Sequence, residues 1–552
     1  MLRKILSLYL IILFFSLVGC EDFYNFEANK LNKKTQEIIK RSELISTTDE
    51  KIELLSDALK KTEKIQSKYK KTKIARLHRK QKIINDLTNR INKLKKKSIK
   101  EKIEKEKNTN SNEIERNINL ANIEFKNGNK LKSSLNLLNA AELSTQQIGD
   151  ARTKSRLLNG ISKLRILLND KENAFKNILN SEKYINETYT DLPKKIKNLS
   201  KIYEMLHQLK QENKKKEIEE KIYLIINNEI LNNDNKAVAL LEIAKTNLLL
   251  ENINKVQIDL IKSSKLAEKS NTYLEIAKIS YKINDINQYK LFLNKAKLVT
   301  KSKDREFWIV RMLINIAMFE NSIQLNEESN KTLLDAKKYV LLKNLDERIF
   351  IELINAFAKI YNLEQAKELL NLMKPGYEKA MAMTLVGKQL IAKKNIPEME
   401  YFLNEAIKTV PNLVGGKYAL GLPGFSTKGR VFMEVAKTYA LAENFEKSRK
   451  FLGLIESDRF YKEGISDVII IQSHKDKLGA KKLALQMLEQ GGKIIDNKFM
   501  GNIAYAQAIS GDIENSLNTL KKMKVGSDFS QTLISIANQI NLQQEDPLIS
   551  YH

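Results

Sequence analysis

The chain has 552 residues, with 95 Lys and Arg against 67 Asp and Glu, a formal net charge of +28. Apolar residues make up 42% and charged residues 29%, enough to bury a core and too many to be a disordered tail. Six prolines and 19 glycines exclude collagen-like and low-complexity classes and argue against a loop-rich all-β fold. One cysteine excludes a disulfide framework and a cysteine-cluster zinc site.

The chain opens MLRKILSLYLIILFFSLVGCED. Arg3 and Lys4 form a basic start, and Ile5 to Phe15 form an apolar run of secretory-signal length. That run is short for a membrane-spanning helix, which needs about 20 apolar residues. It ends in Leu17-Val18-Gly19-Cys20, with the small Gly19 directly before the chain's single cysteine. This resembles the lipobox of bacterial lipoproteins. The resemblance implies cleavage after residue 19, a diacylglyceryl group on the Cys20 thiol and an acylated new amino terminus. Multiple acyl chains meet the two-signal requirement for stable anchoring. The expected partner of this end is therefore a membrane, with residues 1–19 as signal peptide and 20–30 as tether.

From residue 31 to 110 the chain is polar and free of proline and glycine. Leu77, Ile84 and Ile91, and Leu87 and Leu94, recur at seven-residue spacing. This predicts a coiled coil or a long helical hairpin. Between Lys60 and Lys100 stand 17 basic residues against Glu63 and Asp86. Arg76, Arg79, Lys80, Lys93, Lys95, Lys96 and Lys97 are its candidate contacts for anionic polymers such as sulfated glycans or lipid head groups. Nucleic acid is the least favoured target, because Tyr69 is the tract's only aromatic for base stacking. A lysine-rich solvated helix explains the same composition without a ligand. Residues 108–112 (NTNSN) read as a turn-prone break.

Residues 111–375 and 376–541 then read as pairs of amphipathic helices recurring every 33–40 residues. The marker is a small residue followed sixteen positions later by leucine: Ala244/Leu260, Ala277/Leu293, Ala317/Leu333, Gly387/Leu403, Ala436/Leu452 and Ala504/Leu520. A small side chain on the first helix lets the second cross closely, and the leucine fills the seam. Polar turns (Asn284-Asp285, Glu443-Asn444, Gly511-Asp512) separate the two members. The segment Ala436, Tyr439, Phe445, Ser448, Leu452 resembles the tetratricopeptide repeat, without the tryptophan and terminal proline of that family. The predicted fold class is all-α: an α-solenoid of tetratricopeptide-like helix pairs preceded by a long helical or coiled-coil segment. Residues 542–552 read as a tail. Fifteen of the nineteen glycines follow Pro375, which places a soft boundary near 345–375.

The segment 411–429 holds five glycines and two prolines and reads as an insertion in the array. Insertions map to loops on one face, often a binding face. Lys417, Tyr418, Phe425 and Lys428 are the candidate contacts, against the plainer reading of a lengthened turn. Gly416-Lys417 precedes Tyr418, so no P-loop is formed. The four histidines are scattered and no catalytic signature stands out, so no metal, cofactor or catalytic residue is expected. Trp308, the only tryptophan, is expected in the core. The leading functional expectation is a lipid-anchored, non-catalytic scaffold binding other envelope proteins, resembling envelope lipoproteins of AT-rich spirochaetes. The alternative is a surface adhesin holding anionic glycans through residues 60–100.

Overall fold

The computed structural model describes residues 24–45, 47–70, 72–80, 82–303, 306–343, 346–410, 427–490 and 496–542. Among these residues there is no strand. The chain divides into two compact units between Asn112 and Glu113.

The first unit holds α1 (24–44), α2 (Thr48–Lys68), α3 (Lys73–Lys80) and the start of α4 (Ile83–Lys126). Its core is Leu55, Ala58, Leu87 and Ile91, flanked by Ile38, Ile39, Ile52, Leu59, Ile83 and Leu94. Three helices thus share one seam. Leu87, Ile91 and Leu94 of the heptad pattern lie in it. Leu77 does not: it sits exposed on the separate helix α3. Residues 108–112, expected as a break, are helical within α4.

The second unit is built from helix pairs. The end of α4 pairs with α5 (Lys130–Gln146), and α6 (Ala151–Leu167) with α7 (Lys171–Thr188). Then follow α8 (Leu192–Gln208) with α9 (Glu212–Leu224), α10 (Asn233–Leu249) with α11 (Ile253–Leu266), and α12 (Ser270–Lys282) with α13 (Ile286–Lys303). Next come α14 (Glu306–Ser322) with α15 (Asn326–Leu342), α16 (Glu347–Lys359) with α17 (Leu363–Leu372), and α18 (Tyr377–Ala392) with α19 (Ile396–Thr409). The last pairs are α20 (Thr427–Leu441) with α21 (Phe445–Leu452), α22 (Asp458–Lys475) with α23 (Lys477–Gln490), and α24 (Asn497–Ile509) with α25 (Ile513–Lys521). The last helix among the described residues is α26 (Ser527–Leu542). This is the all-α, tetratricopeptide-like solenoid class. One hydrophobic cluster holds Ile309, Ile349, Phe357, Met373 and Tyr439 together.

One turn design recurs along the array. A residue with positive φ ends the first helix: Gly128, Asn169, Lys210, Glu251, Asn284, Gln324, Tyr361, Lys394, Glu443 and Gly511. The next residue donates its N–H to the carbonyl five positions back, as Asp285 to Ser280 (2.9 Å), Asn444 to Tyr439 (2.9 Å) and Asp512 to Gln507 (2.8 Å). This is the Schellman closure of a helix. In some of these turns the same residue also caps the second helix: Asp285 Oδ1 accepts from Gln288 N at 3.0 Å, and Asn444 Oδ1 from Lys447 N at 3.1 Å. A short polar loop therefore serves both helix ends.

The small–leucine markers meet as the sequence predicts. All six pairs are buried. The approach is close enough for a serine on the second helix to reach the backbone of the first. Ser329 Oγ donates to Ala317 O at 2.8 Å, Ser516 Oγ to Ala504 O at 2.6 Å and Ser133 Oγ to Ala121 O at 2.8 Å. Ala436, Tyr439, Ser448 and Leu452 are buried together, and Tyr439 stacks on Phe451 with centroids 5.6 Å apart.

Trp308 departs from expectation. It is 54% exposed, because α14 turns Ile309, Val310, Met312, Leu313 and Ile316 toward the core. Its ring lies edge-on to Phe307, and the Arg311 guanidinium stands 4.3 Å from the Phe307 centroid and 5.6 Å from that of Trp308. Aromatic faces and the Glu352 carboxylate, which accepts from Arg311 Nε at 2.8 Å, hold that cation at the surface.

Candidate functional site

The first helices of three successive pairs, α10, α12 and α14, line a groove of about 720 Å³. Its apolar floor is Leu248, Ile279, Tyr281, Met318, Phe319 and Ile323. Tyr281 sets its edge against Phe319, with centroids 6.2 Å apart, and against Tyr289 at 5.5 Å. These rings bring α12, α13 and α14 into one rigid wall.

The rim is charged. Lys245 Nζ lies 3.1 Å from Glu242 and 2.8 Å from Glu275, whose carboxylate also accepts from Lys278 at 2.8 Å. Burial alone would raise the Glu275 pKa, but the two lysines outweigh it and hold it below the usual range. Burial pulls Lys245 down, and Glu275 and Glu242 reverse that and hold it above its usual value. These four groups are committed to one another. Lys282, Asn315 and Leu249 are not: all are exposed at the rim, Leu249 by 68%.

The arrangement recurs further on. Lys437 Nζ lies 3.3 Å from Glu434 and 2.9 Å from Asp467, beside a groove of about 780 Å³ over α20, α22 and α24. Glu242-x-x-Lys245, Glu275-x-x-Lys278 and Glu434-x-x-Lys437 share one spacing, and the first two stand 33 residues apart. That repeated spacing is the linear signal of this face.

The residues nominated from sequence lie elsewhere. Lys93, Lys95 and Lys96 are exposed on α4, and Lys97 lies 3.6 Å from Glu101. Arg76 is exposed on α3. Arg79 and Lys80 fall in the same helix, but their side chains lie outside the described set, as do Cys20, Lys417, Tyr418 and Phe425. Lys428 is half-buried in the first turn of α20, so residues 427–429 belong to a helix rather than to the inserted loop. Among the described residues, no helix is long and apolar enough to cross a membrane, and no group of three His, Cys, Asp or Glu could hold a metal ion.

The fold and this groove define a helical-repeat protein of tetratricopeptide-like pairs. No protein-family model and no curated protein sequence matches the chain. Solved structures do. A signal-transduction ATPase with a tetratricopeptide repeat sensor from Pyrococcus horikoshii matches at 14% identity and TM-score 0.24, over 63% of this chain and 51% of that one. The human IFIT1 dimer with PPP-AAAA matches at 13% identity and TM-score 0.22, over 67% and 94%. A circular tandem repeat protein with novel repeat topology matches at 10% identity and TM-score 0.14, over 97% of each.

Proposed function

We propose that the chain is a lipid-anchored, non-catalytic scaffold of a bacterial cell envelope. Cys20 carries the anchor, and the first-helix groove over α10, α12 and α14 holds other envelope proteins. The observation that carries the binding role is the groove itself: an apolar floor with Lys282, Asn315 and Leu249 uncommitted at its rim. An extended segment of a partner would set an apolar side chain on Met318 and Phe319 and an acidic or carbonyl oxygen against Lys282. The paired rim supports binding over chemistry. A carboxylate held ionised between two lysines is a weak general base at neutral pH. Confinement at a membrane would raise the effective concentration for partners there.

The double variant Leu249→Asp/Lys282→Glu alters exposed side chains only. Capture of envelope proteins from a detergent extract should fall at least tenfold against the unaltered chain, and equal capture by both contradicts the reading. For the anchor, a labelled fatty acid should be incorporated into the unaltered chain and not into Cys20→Ala, and equal labelling of both would contradict the anchor.

The exposed Lys93, Lys95 and Lys96 favour one second reading, a surface adhesin for anionic glycans. It requires heparin retention that salt abolishes, and loss of that retention when these three become glutamine.

A further inference from the structure

An open repeat array has two ends, each exposing the apolar face that a further repeat would cover, and such ends are normally capped by polar surfaces. In the unit beginning at Glu113 the last helix lies against one of the first. Ser134 Oγ donates to Ala537 O at 2.9 Å, and the hydroxyls of Ser144 and Ser530 lie 2.6 Å apart. The numbers rise on one helix as they fall on the other, so α5 and α26 run antiparallel. These pairs are 403 and 386 positions apart in the chain.

The contact is a core, not a touch. Leu137, Leu138 and Ala141 of α5 share one buried cluster with Leu533, Ile534, Ala537 and Ile540 of α26. Ile114, Ile118 and Ala121 of α4 join it from one side, and Leu517 and Leu520 of α25 from the other. At the edge Lys126 Nζ lies 2.7 Å from Glu514. The bond that fastens ordinary pairs, serine to alanine carbonyl, is used on α5 twice over: Ser133 toward α4 and Ser134 toward α26.

We infer that the repeats form a closed circuit fastened by α26 on α5, and that this contact makes the array one cooperative unit. Open arrays store stability between neighbours alone and fray from their ends. A circuit has no end to fray: opening it at α26 exposes the same apolar faces as breaking any interior pair.

The test starts from a Cys20→Ser chain, which has no other cysteine, carrying Ser144→Cys and Ser530→Cys. The hydroxyl separation suits a disulfide with little movement. Oxidation should give a species of faster mobility that reduction reverses, and its single urea transition should move to higher denaturant. A control pair, Ser144→Cys with Ile258→Cys, should stay unlinked. No cross-link in the first pair, or a cross-link that leaves the transition unmoved, overturns the inference. Hydrogen exchange on the unaltered chain is the second measurement. Amides of α5 and α26 should open together with those of α14 and α16. Earlier opening of α26 alone means an open, fraying array.

Discussion

Gly387 and Leu403 meet so closely that a Cβ at 387 would lie 3.1 Å from Leu403 Cδ2. Gly464 is tighter still, with Leu452 Cδ2 at 2.9 Å and Met433 Cγ at 3.0 Å from the added atom. Both glycines lie within helices, where alanine is favoured by about 1 kcal/mol, and overpacking costs about 1–3 kcal/mol. The balance differs between the two. Gly387→Ala should leave stability within about 1 kcal/mol, because one leucine can yield a few tenths of an ångström. Gly464→Ala, squeezed from two sides, should lower the unfolding midpoint clearly. Thermal unfolding of the two variants side by side checks the order, and a more stable Gly464→Ala would contradict it.

Asp259 is the buried acid with the clearest pH consequence. It is 1% exposed, Tyr223 Oη donates to both of its oxygens at 2.9 Å, and Asn247 Nδ2 lies at 3.4 Å. Burial outweighs these bonds and pushes its pKa up to about 6. The folded chain therefore holds this proton more tightly than the unfolded chain, whose Asp titrates near 3.9. Stability from this group is full below about pH 4 and is lost as pH rises through 6, about 3 kcal/mol in all. The unfolding midpoint should rise as pH falls from 7 to 5, and Asp259→Asn should flatten that slope. An identical slope in the variant would show that another group sets it.

Arg165 is 1% exposed on α6 and binds Asp170, Asn139 (2.7 Å) and Glu142 (3.1 Å). It ties α5, α6 and the cap of α7 together. Removing one partner of a buried pair costs about 3–5 kcal/mol, because the other charge is stranded. Here Glu142 and Asp170 retain some water contact, with side chains 15% and 16% exposed. Arg165→Met should then cost about 3 kcal/mol, at the low end of that range. Adding Glu142→Gln should recover part of the loss. Urea unfolding of the single and double variants measures the coupling, and simple additivity would show that the two residues do not act together.

The array was legible from sequence because its determinants are local. Ala317 and Leu333 sit on adjacent helices of one hairpin, and Asn284-Asp285 both ends and restarts a helix, so each leaves a short-range pattern. The turns were only partly visible, because Lys210, Glu251, Gln324, Tyr361 and Lys394 adopt positive φ without being glycine. The Schellman hydrogen bonds hold that conformation, and composition does not reveal it. The pairing of Ser144 with Ser530 leaves no local trace at all. Trp308 lies outside the core because its register on α14 turns it away, which hydrophobic character alone does not reveal. The groove went unseen because its residues come from three helices, each unremarkable alone; the 33-residue echo of Glu-x-x-Lys was its one linear sign.

The central claim is that the face carrying Lys282 and Asn315 is where partners bind. A photo-crosslinking amino acid at Asn315, in the full chain in intact cells, tests it most directly, with the same probe at Ile258 on the second-helix face as comparison. The account predicts discrete protein adducts from position 315 that vanish with Leu249→Asp/Lys282→Glu, and none from 258. Adducts from 258 alone, or none from 315, would contradict it.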